Sequence, residues 1–140
     1  MNLLRKVVSM VLHGLASLFV FYGEVIALLS LPGQGTKVWM TRIFLLVAAI
    51  MFGIAIAIGN FASRFKPVGI GMLCASAANA FLLLCIFSML SSPEILDVLA
   101  RQGVPFNRYL TRQGMLESGG LTAVIAAFGW MIARRRRLSA

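Results

Sequence analysis

Few side chains in this sequence could do chemistry, and they are widely spaced: one histidine, His13; four acids, Glu24, Glu94, Asp97 and Glu117; and two cysteines, Cys74 and Cys85. His13 and Glu24 are eleven residues apart, which at about 100° per residue comes back to within about 20° of the same direction three helical turns on. Ser9 and Ser17 lie near the same face. Asn79 is the third polar residue set in a strongly apolar stretch. Inside a membrane such groups are costly and by default mark function. At inner, middle and outer depths, His13, Asn79 and Glu24 could line a polar track for protons or a small cation. Alternatively, Asn79 joins helices by a hydrogen bond.

Glu24 has a candidate partner. It lies ten residues before Gln34 and Arg42 lies eight after it, so across a hairpin turn the two stand at similar depth. A Glu24–Arg42 ion pair is one expectation. The other is that Arg42 snorkels to the outer interface and Glu24 is neutral. His13 could also bind haem, but a single histidine leaves the second axial position of a low-spin b-type haem to another subunit. No cofactor is otherwise expected. One histidine and four scattered acids show no metal-ligand spacing, so no metal site is expected. The two cysteines lie about 16 Å apart along a helix, beyond disulfide reach. Nucleophile-elbow, phosphate-loop, dinucleotide and HExxH patterns are absent from the sequence, so no residue is assigned a catalytic role and the balance leans against an enzyme.

The elements that would hold these residues follow from composition. The chain is 60% hydrophobic and 12% charged, against about 25% charged in an ordinary soluble domain. No charge falls between Arg42 and Arg64, or between Lys66 and Glu94. About 20 apolar residues cross a bilayer core. Ile43 to Ile58 reads IFLLVAAIMFGIAIAI, which leaves no polar face and excludes a soluble bundle. Neither the alternation of an outer-membrane barrel nor the low hydrophobicity of a disordered chain is present. We therefore expect an all-α membrane protein of one domain, with four transmembrane helices in an antiparallel bundle. Their spans are 7–31, 38–59, 67–91 and 115–133, the first retained rather than cleaved as a signal peptide.

Pro32, Gly33 and Gly35 supply a turn between the first two spans, and Pro67 suits the first turn of the third. The connector 92–114 is long enough to hold a short amphipathic helix over 93–102, with Ile95, Leu96, Val98 and Leu99 on one side and Glu94, Asp97 and Arg101 on the other.

Small residues recur every four positions at Ala49, Gly53 and Ala57, at Gly71, Ala75 and Asn79, and at Gly119, Ala123 and Ala127. Such ladders allow close helix packing in lipid. The formal charge of +9 divides unevenly. Arg5, Lys6, Arg64, Lys66 and the tail Arg134, Arg135, Arg136 and Arg137 lie on one side. Lys37, Arg42, Arg101, Arg108 and Arg112 share the other with all four acids. By the positive-inside rule both termini are cytoplasmic. The arginine tail (134–140) is a topology anchor that attracts anionic headgroups rather than nucleic acid.

The function expected is that of a cell inner-membrane, multi-pass accessory, assembly or stabilising subunit, working through other membrane subunits or self-association. A small-solute, ion or proton transporter and a haem- or quinone-binding anchor of a redox complex are the alternatives.

Overall fold

The computed structural model describes residues 2–28, 34–59, 65–103 and 108–134. Among these residues the chain is wholly helical: α1 (Asn2–Leu28), α2 (Gln34–Gly59), α3 (Lys66–Leu90), α4 (Pro93–Arg101) and α5 (Arg108–Arg134). Four of the helices are long and apolar enough to cross a membrane. The turn at Pro32 and Gly33, Arg64 and the tail arginines 135–137 lie outside the described residues.

Local chemistry accounts for the boundaries. Pro67 sits in the first turn of α3, where its missing N–H costs nothing. At the other end the Ser91 hydroxyl donates to the Phe87 carbonyl at 2.8 Å, and Ser92 turns extended (φ −91°, ψ 115°) just before Pro93 opens α4. Glu94 in the first turn of α4 and Arg101 in the last both favour its dipole. Past its end Gly103 adopts φ 69°, a left-handed conformation that any side chain would strain.

The helix α5 begins at Arg108, seven residues before the expected fourth span. Glu117, which a span starting at Met115 would put in the first turn, is therefore well inside the helix. Tyr109, Leu110, Gln113 and Met115 continue the helix, and Gly114, a poor helix former, is held against Leu28 of α1.

α1 is central. It packs against α2, α3 and α5, while α3 also packs along α5 and α4 touches α3. The inner faces follow helical spacing of three and four residues: Ser9, His13, Ala16, Val20, Gly23, Glu24 and Ala27 on α1; Ala48, Phe52, Ala55 and Gly59 on α2; Gly114, Ser118, Thr122, Ile125 and Gly129 on α5. Ala16, Val20, Ala48, Phe52, Val68, Ala75 and Ile125 form the apolar core. Outward faces are also apolar, with Leu46, Ile50, Phe81, Leu84, Val124 and Phe128 exposed. A bundle with greasy faces on both sides is the reverse of a soluble one.

Candidate functional site

Glu24 is the largest fully buried side chain, at 0% exposure. It projects from α1 towards α3, where the Ser76 hydroxyl donates to Oε1 at 2.9 Å. One turn along α3, equally buried, is Asn79. Its Nδ2 donates to Ser118 Oγ at 2.9 Å and to Thr122 Oγ1 at 2.7 Å, both on α5. Ser118 in turn donates to the Glu24 backbone carbonyl at 2.8 Å. Because Ser118 uses its only proton on that carbonyl, it must accept from Asn79, and this fixes the orientation of the carboxamide. Three helices are thus tied at one level by Glu24, Ser76, Asn79, Ser118 and Thr122.

The network is short of donors. Glu24 Oε2 and Asn79 Oδ1 are buried acceptors without a hydrogen-bond partner, an expensive state in a low-dielectric interior. Arg42 does not supply the deficit. The ion pair expected between it and Glu24 is not made: Arg42 is exposed on α2, and the salt bridge among the described residues is Lys37–Glu117 at 2.6 Å. Glu117 also accepts from Gln113 at 3.2 Å. The Glu24 side chain turns to Ser76 on α3, whereas Arg42 lies on an exposed face of α2.

No family model, curated protein or solved structure matches this chain.

His13 lies apart from this network. It is buried on α1 with Nδ1 2.7 Å from the Ser9 carbonyl, so that nitrogen carries a proton, and its ring rests 5.8 Å from that of Phe52 on α2. Ser9 Oγ donates across to the Ala55 carbonyl on α2 at 2.7 Å, and Ser17 Oγ donates back to the His13 carbonyl at 2.7 Å. A groove of 460 Å³ between α1 and α3 runs past His13 and is otherwise lined by residues such as Met10, Pro67, Ile70 and Cys74. The three residues of the expected polar track therefore form a pair and a separate third member: Glu24 and Asn79 share a network, and His13 belongs to another patch. No group of three His, Cys, Asp or Glu side chains converges among the described residues.

Of the three small-residue ladders one is internal. Ala75 is in the core, and a Cβ on Gly71 would collide with Ser17 Oγ. Ala49, Gly53 and Ala57 face outward on α2, as do Ala123 and Ala127 on α5, with Gly119 half-buried near Leu83. The closest helix approaches lie elsewhere. A Cβ on Gly69 would stand 2.6 Å from the Gly129 carbonyl and the Ala133 amide nitrogen, and one on Gly114 would strike the Leu28 carbonyl. Sequence reasoning missed these glycines and the partners Ser76, Ser118 and Thr122. The spacing of four through Gly114, Ser118 and Thr122 was the available signal, one residue round the helix from the ladder chosen.

Proposed function

We propose that this chain is a cell inner-membrane, multi-pass protein, with four spans in an antiparallel bundle and both termini cytoplasmic. It acts as a non-catalytic accessory, assembly or stabilising subunit that docks further transmembrane helices. The observation carrying this reading is the outward face of α2. The bundle consumes Ala48, Phe52 and Ala55, leaving Ala49, Gly53 and Ala57 exposed in a row, and a Cβ on Gly53 would meet nothing within 4 Å. A flat strip of small residues is what a second helix needs for close approach in lipid, where hydrophobicity gives no drive to associate. The greasy outer faces of all four long helices support membrane residence, and the excess of Lys and Arg on the side of Arg5, Lys6, Arg64, Lys66 and the arginine tail over the side of Lys37, Arg42, Arg101, Arg108 and Arg112 supports the orientation.

The test is purification in mild detergent with native mass spectrometry. The intact protein is expected in a complex, with itself or with another membrane subunit. Gly53→Leu should release it to monomer while leaving its own helices paired, because the new side chain projects into open space. A strictly monomeric, partner-free wild type would refute the reading.

A further inference from the structure

The association reading uses the outside of the bundle and leaves its buried acid unexplained. We infer that the Glu24 carboxyl is a binding site for one proton, set in the buried network that Ser76, Ser118 and Asn79 complete.

The argument is a count of donors and acceptors. Ser76 donates to Oε1, Ser118 donates to the Glu24 carbonyl, and both Asn79 N–H groups are taken by Ser118 and Thr122. What remains is one carboxylate oxygen and one amide oxygen, both buried and both unpartnered. A proton on Oε2 removes the buried charge and turns one of the two orphan acceptors into a donor. A metal cation fits less well, because hard cations gather about six oxygens. Here the Ser118 and Thr122 oxygens already face the Asn79 amide protons.

Nothing packed around Glu24 competes for the role. α3 presents Ser76 and Asn79, α5 presents Ser118, and α2 meets the neighbouring Gly23 with Phe44 and Leu45. None of these titrates. The nearby ionised pair, Lys37 and Glu117, is closed on itself, and His13 lies about 16 Å away along α1.

Infrared difference spectroscopy of the full chain in liposomes, across a pH jump, reads the site directly. A protonated-carboxyl C=O band should grow at low pH, vanish in Glu24→Gln, move in Asn79→Leu, and stay unchanged when K+ is replaced by Na+. Three results would overturn the inference: no band lost with Glu24→Gln, a band that Asn79→Leu leaves in place, or a band suppressed by Na+ at fixed pH, which would make a metal ion the occupant. Should Glu24→Gln fail to assemble, the wild type can be labelled with a hydrophobic carbodiimide, which adds to a protonated carboxyl, and digested for mass spectrometry. An adduct on Glu24 whose yield rises as pH falls supports the site, and labelling confined to Glu94, Asp97 and Glu117 sinks it.

Discussion

The two ends of α1 bury polar side chains in opposite ways. Near Glu24 the bonds run from helix to helix: Ser76 on α3 and Ser118 on α5 reach across, and Asn79 ties those two helices together. Near His13 two of the serine and histidine bonds are made within α1 itself. Ser17 donates to the carbonyl four residues back and His13 does the same, with Ser9 to Ala55 as the crossing bond among these. Close approach through glycine is common to both ends: Gly69 meets Gly129 and Ala133 and Gly71 meets Ser17 here, as Gly114 meets Leu28 at the other. A side chain satisfied by its own helix is indifferent to its neighbours. One satisfied by another helix reports whether that helix is in place. The lesson is that burial alone does not mark a coupling residue; the address of its hydrogen bond does.

The largest effect should come from the end where α3 meets α5 beside His13. Gly69→Ala would force a methyl group to within 2.6 Å of the α5 backbone, where no rotamer can relieve it, so α3 and α5 must separate. We expect about 3 kcal/mol of destabilisation, measured by reversible unfolding in mixed micelles. A loss within 0.5 kcal/mol would break the idea that this end is joined by close approach.

At the other end Asn79→Leu should cost about 1–2 kcal/mol in the same measurement. Combined with Ser118→Ala it should cost less than the two separately, since both report one network. Strict additivity would mean that the bonds across α3 and α5 do not act together.

Lys37→Gln comes next, at about 0.2–1 kcal/mol. Lys37 is 15% and Glu117 41% exposed in the side chain, so the cost should shrink with added salt. An effect independent of ionic strength would argue that Lys37 works by packing its stem. Ser17→Ala should be the mildest, near zero, because its bond is made within one turn of its own helix. A cost like that of Asn79→Leu would erase the contrast between the two ends.

Much of this was legible before any coordinates. The long helices α2 and α3 follow from charge-free runs, and the short α4 from Ser92-Pro93-Glu94 and the split of Ile95, Leu96, Val98 and Leu99 from Glu94, Asp97 and Arg101, except that Val98 lies exposed with the charged residues. His13 and Glu24 are both buried on α1, the first against Phe52 of α2 and the second against Ser76 of α3. Facing was harder. In a span that is apolar all round, the outward and inward residues have the same chemistry, so periodicity carries little information about direction. Ala49, Gly53 and Ala57 form as good a ladder as any, and the bundle turns it outward. The partners of Glu24 were hidden for a different reason. A local argument about a hairpin could see only α2, and the donors come from α3 and α5.

That distance has a bearing on biosynthesis. Ser76 lies 52 residues beyond Glu24 in the chain and Ser118 lies 94 beyond it. A ribosome delivering the helices in order must release α1 with its acid uncapped and hold it so while α2 and the first turns of α3 are made. The last helix then completes the bond to the first, through Ser118 and the fit of Gly114 against Leu28. Translation that stops short of α5 leaves the Glu24 carbonyl without its donor and Leu28 without the glycine that packs on it.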